Sequence, residues 1–117
     1  FGGSIMELTD YPNVTFFSAE EIKKLYDKNE VTIIDVREKE EWDKGHIQGA
    51  KFMPLTSFSP DKINIGNKKY LIFHCRSGSR CGIAAEQMIK SGYTKEIIRM
   101  KGGLIAWSEL GYEITTK

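Results

Sequence analysis

Cys75, Arg76, Ser77, Gly78, Ser79 and Arg80 form an unbroken run that joins a nucleophile to two cations, two hydroxyls and a glycine. A cysteine attacks only as the thiolate, and an unperturbed pKa near ~8.5 leaves a few per cent ionised at neutral pH. Neighbouring guanidinium groups favour the anion. Gly78 is free to take a positive φ, so a tight turn here can aim successive backbone N–H groups into one concavity. A helix starting directly after the turn would add the partial positive charge of its N-terminus. Such a loop would stabilise an anionic sulfur on Cys75 and draw in an anionic donor, which is covalent nucleophilic chemistry without a metal. The competing reading is an inert buried thiol at a strand end. Arg, Ser, Gly, Ser and Arg make a poor wall for an inert thiol, which favours function. A pocket is then required, and a thiol sealed in the apolar interior would overturn the assignment.

Around this run other residues invite roles. Ser77 and Ser79 can donate hydrogen bonds to the sulfur or hold the loop, and Arg80 can contact substrate or form an ion pair that fixes the loop. Cys81 could be a resolving thiol, but it falls on the apolar stripe of the following helix, which favours a small packing residue. His74 precedes the nucleophile. Adjacent strand residues point to opposite faces, so packing suits it better than a Cys and His dyad. Asp35 and Arg37, of opposite charge and two apart, suit a local network that orients backbone. Trp42 and Trp107 read as core aromatics. Two cysteines six apart make neither a disulfide framework nor a zinc site.

The elements that must position these groups follow from periodicity. Thr15 to Phe17 predicts a strand, followed by Ser18 as a helix N-cap with Glu21 completing a capping box, and Phe17 and Ile22 as a hydrophobic staple. Val31 to Val36, rich in β-branched residues, predicts a strand covered on both faces. A short charged helix around Trp42 is expected over Glu38 to Lys44, capped by Gly45, and a strand over Ala50 to Met53, ended by Pro54. Residues 56–69 read as a short helix plus loop. Tyr70 to His74 predicts another buried strand. Cys81, Ala84, Ala85, Met88 and Ile89 then mark one face of a helix that Gly92 ends. Ile97 to Met100 predicts a fifth strand and Leu104 to Leu110 a last helix capped by Gly111. Strands alternating with helices predict an α/β fold, a mainly parallel sheet with helices on both faces, and in such sheets ligands bind beyond the carboxyl ends of the strands. Cys75 lies there.

The chain has 117 residues and a formal charge of +1, enough for one core and with no global field toward nucleic acid or a membrane. Apolar runs are far shorter than the roughly 20 residues that span a bilayer. Phe1 to Ile5, with Gly2, Gly3 and Ser4, offers nothing to pack and reads as an added or frayed leader, so the domain is expected over residues 6–117. A free thiol and no secretory pattern point to a reducing, cytoplasmic setting, or a periplasmic one had a signal peptide been removed.

The loop resembles the CRSGxR active-site loop of rhodaneses. Asp35, Val36, Arg37, Glu41, Gly45, His46, Ile47, Gly49, Ala50 and Pro54 are similar to that family's DVRxxxExxxGHIxGAxxxP pattern, and Gly102, Gly103, Ala106 and Trp107 to its GGxxAW element. The resemblance covers nearly the whole domain. It implies a five-stranded parallel sheet, a persulfide on Cys75, and sulfur transfer from thiosulfate or another donor to cyanide or a thiol, without a cofactor. A protein sulfur-relay partner fits as well. His46, within the matched GHI element, is expected to make a structural hydrogen bond, and the family more often has serine where this chain has Cys81. A carrier or interaction module without turnover is the first alternative. A cysteine phosphatase of related fold is the second, but it needs five residues between Cys and Arg, where Cys75 and Arg80 are separated by four.

Overall fold

A computed structural model describes residues 13–77 and 79–117. The expected leader, Phe1 to Ile5, and Gly78 lie outside the described residues. Five strands form one sheet: β1 (Val14–Phe17), β2 (Val31–Asp35), β3 (Lys51–Phe52), β4 (Tyr70–His74) and β5 (Ile97–Met100). Their order is β1-β5-β4-β2-β3, and every pairing is parallel. Four α-helices accompany them: α1 (Ala19–Asp27), α2 (Lys39–Lys44), α3 (Arg80–Lys90) and α4 (Gly103–Glu109). This is the rhodanese-like α/β architecture that the motifs imply.

Strand alternation builds two cores. Ile34, Leu71, Phe73 and Ile97 point to one face, where they meet Ala84, Ala85 and Met88 of α3. Ile33, Ile72 and Ile98 point to the other, against Ile22 of α1 and Trp107 of α4. Each position next in sequence changes sides, as a pleat requires, so the central strands read as continuous apolar runs. Burying each such side chain contributes about 1.5–3 kcal/mol, and β4, with five residues paired to β2 and three to β5, is gripped from both sides. The loop after His74 therefore leaves a rigid strand end.

Local signals act as expected at α1. Ser18 Oγ accepts from the Glu21 amide at 3.1 Å, the Glu21 carboxylate accepts from the Ser18 amide at 2.8 Å, and Phe17 and Ile22 join one cluster. Elsewhere the chain departs from the periodic reading. The expected strand Ala50 to Met53 shortens to Lys51–Phe52, both exposed at the sheet edge. Residues 56–69 hold no α-helix; two 3₁₀ turns, Leu55–Ser57 and Pro60–Lys62, replace it, the second with Pro60 at its first position. The last helix starts at Gly103 rather than Leu104. Trp42 is half-buried rather than core, because α2 buries none of its side chains; its ring stacks on His46 at 3.6 Å. Trp107 is in the core.

Candidate active site

β4 delivers Cys75 to the carboxyl end of the sheet, and α3 begins five residues later at Arg80. Arg76, Ser77 and Ser79 are exposed, Arg80 is half-buried and Cys75 has no exposed surface. The thiol is thus covered on one side by the apolar cluster of Phe73 and Ala84 and lies next to the polar loop in sequence. Sequence reasoning expected the sulfur at a pocket mouth, whereas Cys75 is buried.

Three sets of contacts hold the loop. The first comes from α4, whose leading amides face the loop carbonyls: Leu104 N donates to Cys75 O at 2.8 Å and Ile105 N to Arg76 O at 3.2 Å. Gly102 and Gly103 make this approach possible, with φ of 76° and 58° in the left-handed region. A Cβ on Gly103 would fall 2.5 Å from Cys75 O and 2.6 Å from Arg76 O. Gly103 is therefore the surface against which the loop backbone docks, while a side chain on Gly102 would meet Ala106 of its own helix, roles sequence reasoning did not give them.

The second contact is Arg80 with Glu41 of α2. Two hydrogen bonds of 2.7 and 2.8 Å join the guanidinium to both carboxylate oxygens. The Arg80 hydrogen bonds hold Glu41 well below the usual carboxylate range, to about 2, while the bond to Glu41 first, and more weakly the charges of Glu41, Cys75 and Glu38, tighten Arg80's hold on its proton. The geometry matches the ion-pair alternative for Arg80. Glu41 was visible as a motif residue, but its partner lies 39 positions away.

The third is a buried network beneath the strand ends. Asp35 accepts from Arg37 Nε at 2.9 Å, Nη2 at 2.8 Å and the Arg37 amide at 3.0 Å, and Arg37 Nη2 also donates to Gly45 O at 2.7 Å. Both residues are buried, so each charge is compensated where water is excluded. His46 keeps its Nδ1 3.0 Å from Trp42 O and bridges to Thr115 through its backbone. His74, fully buried, lies with Nδ1 3.3 Å from Cys75 O and Nε2 3.5 Å from Asp35 Oδ2. Burial, outweighing the attraction of Asp35, lowers its pKa and keeps the ring neutral.

Cys81 sits in the stripe of α3 and is buried. Its sulfur accepts from Arg99 Nε of β5 at 3.4 Å. Neither cysteine is in a disulfide. Among the described residues no cluster of acidic, His or Cys side chains could hold a metal, and no helix is long and apolar enough to cross a membrane.

The rhodanese-like domain family model matches residues 18–110. The chain belongs to that family. It is 36% identical over 94 residues to a putative sulfur carrier protein, YrkF, of Bacillus subtilis, covering 78% of this chain and 49% of that one. With a sulfurtransferase of Allochromatium vinosum it shares 28% over 92 residues, 79% of this chain and 85% of the other. The crystal structure of a rhodanese-like domain protein from Staphylococcus aureus superposes with a TM-score of 0.69 at 29% identity, covering 86% of this chain and 98% of that one. The chain spans 54% and 59% of the length of two further curated relatives that it matches.

Proposed function

We propose that this rhodanese-like domain is a sulfurtransferase whose covalent carrier is Cys75. The observation that carries the proposal is the setting of that residue. A cysteine at the end of the central strand has its own carbonyl and the next tied to amides of the first turn of α4, and Arg80 at the start of α3 is clamped to Glu41. The relatives named as sulfurtransferase and sulfur carrier support the same chemistry.

In the proposed cycle the Cys75 thiolate attacks the outer sulfur of a donor such as thiosulfate. A new S–S bond forms, the donor's S–S bond breaks, and sulfite leaves with the electron pair. The persulfide then gives its terminal sulfur to cyanide or a thiolate acceptor, and Cys75 recovers its electron pair as the thiolate. Arg76 and Arg80 raise the local positive potential for the anionic donor, and the loop amides from Arg76 through Arg80, with Ser77, Gly78 and Ser79, stabilise the sulfur anion. Asp35, Arg37 and His46 act beneath the loop as support.

Intact-mass spectrometry tests the proposal. With thiosulfate the protein gains the mass of one sulfur atom, cyanide removes it, and Cys75→Ala shows no gain while keeping its fold. A wild-type protein that never loads from small donors or from a partner desulfurase would sink the reading. Loading from the desulfurase alone would assign a relay role.

A further inference from the structure

A cleft of about 310 Å³ lies where α2, α4 and Ile114 meet the loop at Arg76. Its apolar lining is Leu104, Ile105 and Ile114, and it begins next to the nucleophile, because Leu104 N donates to Cys75 O at 2.8 Å and Ile105 N to Arg76 O at 3.2 Å. Ile105 is 37% exposed there. Ser108, also in the wall, turns its hydroxyl back to the Leu104 and Ile105 carbonyls, so it leaves the apolar character intact. The charges of the lining are lopsided. Arg37 is spent on Asp35 and Gly45 O, and Glu41 has both carboxylate oxygens on Arg80. Lys44 and Arg76 are exposed and enter no ion pair among the described residues. The cleft is therefore an aliphatic wall with a net positive rim.

We propose that this cleft is the subsite for the sulfur acceptor, and that the acceptor is a small thiol with a carboxylate on an aliphatic stem. Leu104, Ile105 and Ile114 hold the stem, while Lys44 and Arg76 draw the carboxylate. Thiosulfate and cyanide have no apolar part to set against three aliphatic side chains, so the wall serves the other partner in the cycle. The volume is at the small end of ligand sites, which suits a small molecule. The assignment rests on the sulfur-transfer reading. In the step it serves, the acceptor thiol loses its proton to solvent, and its thiolate attacks the outer sulfur of the Cys75 persulfide. A new S–S bond forms on the acceptor, the persulfide S–S bond breaks, and Cys75 takes back the electron pair as its thiolate.

Two measurements test it. In the first, protein loaded with sulfur and freed of thiosulfate is mixed with ω-mercaptooctanoate, mercaptopropionate, ω-mercaptooctanol or cyanide, and intact mass follows the loss of the sulfur atom. The octanoate thiol should discharge the persulfide about tenfold faster than the propionate, since even partial burial of each added methylene strengthens binding, and the uncharged alcohol about two- to threefold slower than the octanoate. Ile105→Ser and Lys44→Gln should each lower the ratio of octanoate to cyanide rates, by about threefold and about twofold. Reading a ratio cancels any general disturbance of the loop. Should Ile105→Ser not fold, the stem-length series and Lys44→Gln still decide. Equal rates for the long and short carboxylates, or a preference untouched by both variants, would overturn the assignment. So would a stem-length preference in loading from alkyl thiosulfonates with none in discharge, which would give the cleft to the donor. The second measurement needs no sulfur: octanoate, titrated into the unloaded protein, should shift the amide NMR signals of Lys44, Ile105 and Ser108. Such shifts in a protein that never loads would remove the transferase reading and leave an anion-capped aliphatic site. Loading without shifts or preference would sink the subsite alone.

Discussion

Burial and ionisation oppose each other at a thiol, because a low-dielectric surrounding disfavours the anion. Cys75 has no exposed surface, so the ionisation that the proposed transfer requires depends on the groups placed around it. Arg80, clamped to Glu41 at the start of α3, and the loop amides of the proposed cradle are the groups the chain supplies next to it. Beneath them, Asp35 and Arg37 neutralise one another inside the protein, and removing one leaves the other buried and unpaired. Asp35→Ala is therefore expected to lower the unfolding free energy by about 3–5 kcal/mol, read by denaturant titration. A loss under about 1 kcal/mol would mean that Arg37 finds solvent or another partner.

At the scale of elements, the contact between α4 and the loop is the joint that sets the position of Cys75. Gly103→Ala tests it, because the new methyl would meet the Cys75 and Arg76 carbonyls while the backbone stays at φ 58°. Its expected cost is about 2–4 kcal/mol, with slower persulfide loading. Gly111→Ala is the control. It shares a positive φ of 79° with open space around the site, so it should cost only about 1–2 kcal/mol and leave loading unchanged. Equal costs at the two sites would show that the close approach contributes nothing beyond backbone strain.

For the whole molecule, the ion pair between α2 and α3 makes stability depend on pH. The carboxyl of Glu41 lies at about 2 in the folded protein against 4.5 ordinarily, so the unfolded chain binds the proton more readily. The resulting stabilisation is complete above the ordinary value and disappears as pH falls toward the folded one. Both side chains are partly exposed, so after screening it amounts to about 1–2 kcal/mol. Thermal unfolding of the parent and Glu41→Gln should differ at neutral pH and converge only as pH falls through about 2; a constant gap would place the effect outside this ionisation. The same molecule-wide view shows what could be read in advance. Val31 to Asp35, Tyr70 to His74 and Ile97 to Met100 announce themselves because both faces of a central strand are buried. β3 was legible in place but not in extent, since an edge strand of two exposed residues has no apolar period to mark its ends, and Trp42 misled because a lone tryptophan in a charged helix looks the same at a rim as in a core.

By itself, then, the order of residues determined the alternation of strands and helices, the capped start of α1 and the polar loop at the end of β4, because each depends on neighbours within a few positions. Only the tertiary structure decided that Glu41 holds Arg80, that Gly103 lies against the Cys75 carbonyl, that Arg99 reaches Cys81, and that the thiol is covered. Those partners lie 18 to 39 residues apart, a separation at which local periodicity carries no information and the packing of strands and helices alone brings them together.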